Sequence, residues 1–167
     1  MRNPILAVAL LAFAAPALSQ SAAPASTQFM SHKQIMSLVK KAKADRKGDA
    51  PLVAEPILLM APYRAQLEYR PKTAPAALHE KDAELFVVLQ GTGNIVTGGK
   101  LVDEKRVNAN NLSGSSIADG HSQSVVVGDM LIVPANTPHQ VVPTGGKPVV
   151  VMTMHVPYPP AGWPPAN

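Results

Sequence analysis

From Glu55 to His155 the chain is a succession of short apolar runs, each cut off within a few residues by glycine, proline or a charged turn. No second stretch of helical periodicity interrupts them. Such a pattern leaves room for a small antiparallel β-barrel or sandwich and for little else. Tyr63, Ala65, Leu67 and Tyr69 alternate with Arg64, Gln66, Glu68 and Arg70, a period of two that predicts a strand with one buried face. Glu84 to Leu89 predicts a strong strand. Shorter ones are expected at Ala76 to His79, Asn94 to Thr97, Val125 to Val127, Met130 to Val133, His139 to Val142 and Val149 to His155. Lys100 to Ser116 is polar and irregular, and reads as a long loop with a strand near Leu101. The 17 prolines and the 4% aromatic content fit strands joined by turns. A length of 167 residues favours one domain.

The expected organisation is a signal peptide over 1–19, a leader and amphipathic helix over 20–50, a β-barrel over 51–156 and a proline-rich tail over 157–167. Arg2 supplies a positive n-region, Ile5 to Ala15 an apolar run too short to span a bilayer, and Ala17-Leu18-Ser19 the small residues of a cleavage site before Gln20. The mature chain is therefore expected to be exported, periplasmic or secreted, with no later segment apolar enough to span a membrane. There are no cysteines. An exported chain of this kind has no disulfides and no thiolate ligands, so any metal must be held by histidines and carboxylates.

Ser31 is placed as a helix N-cap, Gln34 completes a capping box, and Met30 and Ile35 suit a hydrophobic staple. Ile35, Leu38, Val39 and Ala42 form one apolar stripe. The formal charge of +4 is concentrated here: Lys33 to Lys47 holds six basic residues against Asp45, whereas the chain from Gly48 onward holds eight basic and ten acidic. The folded body carries no basic stripe, which argues against nucleic-acid binding. The lysines read as the solvated face of a helix packed on the barrel. The tail has five prolines and Trp163, and is expected to run extended over the surface.

Chemistry is most concentrated at His79, Glu84 and His139. His79 ends one expected strand, Glu84 begins the next across the Lys81-Asp82 turn, and His139 follows the rigid Pro134 to Pro138 loop. Two imidazoles and a carboxylate make a ligand set for Fe(II), with Mn, Ni and Zn as further divalent candidates. These residues resemble the cupin superfamily. His79-x4-Glu84-x6-Gly91 looks like the second half of its first motif, and Gly128-x5-Pro134-x-Asn136-x2-His139 like its second. The resemblance spans about Glu55 to His155. It implies a cupin-like jelly roll, one divalent metal per barrel on His79, Glu84 and His139, a small-molecule substrate or ligand, and a homodimer. The first motif histidine falls on Ala77, the motif-two glycine on Asn136, and the closing asparagine on Pro143.

The leading expectation is thus an exported cupin-like metalloprotein with dioxygenase, isomerase or lyase chemistry on a small organic molecule. The alternatives are a non-catalytic small-molecule-binding cupin and a scaffold using its basic helix and tail. Tyr69, Phe86, Met154 and His155 are the candidate substrate-binding residues lining the cavity. N-terminal sequencing of the protein recovered from its producing cells should read Gln20 first; a chain still carrying Arg2 would contradict the cleavage.

Overall fold

The computed structural model describes residues 27–157, so the expected signal peptide and nearly all of the proline-rich tail lie outside the described residues. One helix, α1 (His32–Asp45), precedes thirteen strands. They are β1 (Val53–Met60), β2 (Tyr63–Arg70), β3 (Ala76–His79), β4 (Asp82–Gln90), β5 (Gly93–Thr97), β6 (Lys100–Val102) and β7 (Lys105–Asn108). There follow β8 (Asn111–Gly114), β9 (Ser116–Ala118), β10 (His121–Val125), β11 (Met130–Val133), β12 (His139–Pro143) and β13 (Val149–Pro157). Among the described residues no helix is long and apolar enough to cross a membrane.

The strands form two large antiparallel sheets. One has the order β1-β2-β13-β4-β11 and the other β10-β5-β12-β3-β8-β7, with β6 and β9 as a separate pair. Among the described residues no strand is hydrogen-bonded into both large sheets, so the jelly roll is an open-edged one. Between the sheets lies an apolar cluster of Phe86, Val88, Ile95, Val125, Val133, Val141, Val149 and Val151.

Helix α1 starts where its capping box places it. The Ser31 Oγ accepts from the Gln34 backbone N–H at 3.3 Å, and the Gln34 Oε1 accepts from the Ser31 N–H at 2.9 Å. Met30 and Ile35 pack on the same apolar cluster, as a staple should. That cluster joins Val39 and Ala42 of the helix to Ile57, Ala65, Leu67, Tyr69 and Val150 on the outer face of the five-stranded sheet. Leu67 and Val150 are essentially fully buried there, each contributing roughly 1.5–3 kcal/mol of hydrophobic stabilisation. Lys41 Nζ clips the helix down, 2.6 Å from both Asp45 and Glu55.

This packing reverses one expectation. The apolar side of β2 faces outward, under the helix, and its polar side faces the space between the sheets. Alternation shows that a strand has two unlike faces, not which of them meets solvent. Other differences are local. β1 has no clean alternation and carries Pro56; it is an edge strand, and its register shifts between Pro56 and Leu58, where a missing N–H is tolerated. The stretch from Lys100 to Ser116 folds into short strands rather than a loop, held by backbone pairing; all of β7 is exposed, so no apolar pattern marks it. The strand expected at Val125 to Val127 instead occupies β10, and Val126 and Val127 are exposed in the turn after it.

Gly91, between β4 and β5, has φ +78, and a Cβ there would lie 2.2 Å from the Pro148 carbonyl oxygen. Gly91→Ala should therefore destabilise the fold by more than about 1 kcal/mol, read as a lower midpoint in thermal or urea unfolding.

Candidate metal centre

Three strands change character along their inward positions at the same level of the fold. On β13 the inward residues run Val149, Val151, Thr153, His155. On β4 they run Val88, Phe86, Glu84, and on β12 Val141, His139. A two-residue period puts each set on one face. The interior is therefore apolar at one end and polar at the other, with Phe86 at the boundary. Phe86 is 1% exposed, and its ring meets that of His139 edge-on at 5.6 Å.

The polar end draws two residues from each sheet. Glu84 and His155 stand directly opposite one another in the β4–β13 ladder. His79 and His139 come from β3 and β12 of the facing sheet, with His139 opposite Ala77. The expectation that His79 and Glu84 share one interior thus has a different cause from a kinked strand. The chain crosses from one sheet to the other between them.

All three imidazoles present Nε2 to the same carboxylate. His139 Nε2 lies 2.9 Å and His79 Nε2 3.2 Å from Glu84 Oε2, and His155 Nε2 lies 3.5 Å from Oε1. The other ring nitrogens face outward. His79 Nδ1 bonds Asn111 Oδ1 at 2.7 Å, and His139 Nδ1–H donates to the Thr137 carbonyl at 3.2 Å. His155 Nδ1 is 3.9 Å from an Asp82 oxygen, an electrostatic contact only. The loop before His139 is anchored to its neighbour: the Asn136 N–H donates to the His79 carbonyl at 2.7 Å. Asn136 adopts φ +60, a left-handed conformation that asparagine tolerates.

Glu84 is 3% exposed, so its charge must be compensated from within. Burial drives it toward protonation, but hydrogen bonds from His139 and His79 and the charges of His139 and His155 outweigh burial. Its pKa is held well below the ordinary carboxylate range. At His79 burial lowers the pKa, yet the bonds to Glu84 and Asn111 carry it above the usual imidazole value. At His155 burial wins; the Glu84 charge opposes it, His79 and Arg64 add to it, and the pKa falls. A carboxylate held ionised and three imidazoles, two of them with their outer nitrogens hydrogen-bonded, form a donor set that suits a divalent ion, because the lone pairs that would ligate it are the ones aimed inward. His79, Glu84 and His155 offer ligand atoms that all lie within 4.8 Å of one another. His139 adjoins them through Glu84.

Next to this cluster is a cavity of about 450 Å³ whose lining includes His79, Glu84, His139, His155, Ala77 and the polar side of β2. Of the four residues expected to line it, His155 does. Tyr69 and Met154 do not. Tyr69 is buried beneath α1, and Met154 packs against the same outer cluster. Both occupy the face of their strands that points away from the site. Phe86 is core beneath His139 and not a wall residue. Glu80 turns away to a bidentate pair with Arg106, both contacts at 2.9 Å. The polar side of β2, expected to meet solvent, is instead a wall of the cavity. The signal for it was α1, whose apolar stripe needs an apolar partner face.

No protein-family model matches the sequence, and no curated protein matches it. Solved structures do match the fold. An uncharacterised conserved protein with a double-stranded β-helix domain from Klebsiella pneumoniae subsp. pneumoniae MGH 78578 is similar with a TM-score of 0.54 at 13% identity, over 79% of this chain and 91% of that one. The TT1209 protein from Thermus thermophilus is similar with a TM-score of 0.50 at 15% identity, over 72% and 95%. The chain therefore has the double-stranded β-helix of the cupin fold.

Glu84→Gln removes the charge that raises His79 while leaving it buried. In metal-free protein the His79 ring should titrate above the usual imidazole value, and in the Glu84→Gln variant its pKa should fall, as followed by NMR of the ring protons.

Proposed function

We propose that the mature protein is an exported metalloprotein of cupin fold. It holds one divalent ion on His79, Glu84, His139 and His155, and acts on a small organic molecule in the adjoining cavity. The observation that carries this reading is the convergence of three Nε2 atoms on one buried carboxylate, with outer acceptors bonded to Nδ1 of His79 and His139. Outer partners of that kind fix the tautomer and aim of ligating histidines.

The resemblance places the first motif histidine at Ala77. Ala77 faces the cavity and pairs with His139, but it has no donor atom. In this reading His155, from the last strand, brings the number of protein donors back to four. Three imidazoles and a carboxylate suit Fe, Mn, Ni or Zn. A bound ion of this class supplies Lewis acidity for isomerisation or elimination, or a site for activating oxygen. The protein's own part is to fix the ligands through Asn111 and Thr137, to set the charge through Glu84, and to keep the floor dry with Phe86 and the valines behind it.

Metal analysis of protein purified without chelator tests the reading. The expected result is about one divalent ion per chain in the wild type and loss of it in His79→Ala and His139→Ala. A wild type that carries none, even after reconstitution with Fe(II), Mn(II), Ni(II) and Zn(II), would sink it. An organic molecule copurifying with metal-free protein would favour the non-catalytic binding alternative. Asn111→Ala, which touches no expected ligand atom of the ion itself, should weaken metal affinity by about tenfold or more, measured by competition with a chelating dye.

A further inference from the structure

The cavity wall contributed by β2 is a file of four polar side chains at alternate positions: Arg64, Gln66, Glu68 and Arg70. Three of them satisfy one another. Glu68, 4% exposed, accepts from Gln66 Nε2 at 2.8 Å and from Arg70 Nε at 2.8 Å, with Arg70 Nη2 at 2.6 Å and Thr153 Oγ1 at 3.5 Å. This part of the wall is neutral and internally braced. Arg64 differs from it: it lines the cavity but is exposed to solvent, and among the described residues it has no carboxylate partner. It is opposite His155 in the β2–β13 ladder, which puts it at the metal end of the file.

The charges explain what such an arginine is for. The charged residues lining the cavity are Arg64, Arg70, Glu68 and Glu84, and they cancel. A divalent ion on Glu84 and neutral imidazoles turns that balance to two positive charges. Counting Asp82, behind His155, still leaves it positive. A neutral ligand would leave the excess uncompensated, whereas an organic anion would match it. A guanidinium also offers the planar fork that a carboxylate fits with two hydrogen bonds.

We propose that the cavity takes a small organic acid, one end of which meets the metal while a carboxylate pairs with Arg64. The proposal rests on the metal reading above. Arg64 is the specificity residue of this arrangement, and Glu68 with Arg70 forms a neutral wall that favours neither charge.

The test uses the mature chain loaded with Mn(II), its metal content measured before any ligand is added. Malonate and its uncharged counterpart malonamide are titrated calorimetrically into wild type, Arg64→Gln and Arg64→Lys. The wild type should prefer malonate by about tenfold or more. Arg64→Gln should lose most of that preference at unchanged metal content, and Arg64→Lys should keep part of it. Equal binding of the two compounds, no binding of malonate, or a preference that survives Arg64→Gln would overturn the proposal. A wild type that takes up neither Mn(II) nor, in its place, Fe(II), Ni(II) or Zn(II) is a different result: it fails at the metal measurement, and brings down the metal reading and this proposal with it.

Discussion

The buried carboxylate of Glu84 is the constraint on which the polar half of this molecule depends. It lies between two sheets, 3% exposed, and three imidazoles from three other strands turn to it. A charge in that position is costly unless it is matched. Matching it requires β3 and β12 of one sheet to face β4 and β13 of the other in one register. A shift of a single residue in any of them would turn its imidazole or carboxylate out of the interior and bring a neighbouring residue in. Glu84 therefore ties the packing of the two sheets to the geometry of the site.

The rest of the fold makes room for that arrangement. The valines and Phe86 close one end of the interior and leave the other polar. Helix α1 covers the outer face of the five-stranded sheet, so β2 buries Ala65, Leu67 and Tyr69 outside and turns Gln66, Glu68 and Arg70 inside. Without the helix, the same alternation would favour the opposite orientation, with an apolar cavity and a charged exterior. The helix is thus part of what gives the cavity its chemistry, although none of its residues lines it.

Much of this was legible in the sequence. Ser31 and Gln34 marked the helix start because capping is local chemistry, and Glu84 to Leu89 marked a strand because both its faces are filled. His79, Glu84 and His139 stood out by residue type and spacing; the structure sets both imidazoles against Glu84, but the group whose ligand atoms all lie within 4.8 Å of one another has His155 in the place of His139. His155 was visible as a candidate for the cavity, but its place beside Glu84 depends on the β4–β13 register, which no local pattern encodes. The inward set of Arg64, Gln66, Glu68 and Arg70 was hidden for a related reason. Periodicity separates two faces, and only the tertiary position of α1 decides which one is covered. The strands between Lys100 and Ser116 were hidden because they are held by backbone pairing at the surface, where side chains carry little pattern.

The central claim is that one divalent ion sits where the four side chains of the two sheets meet. Anomalous diffraction from crystals of the Mn(II)-loaded protein tests it most directly. The account predicts a single strong peak within bonding distance of Glu84 and of the Nε2 atoms of His79, His139 and His155. A peak elsewhere on the chain, or none at this cluster in protein that demonstrably carries metal, would contradict it.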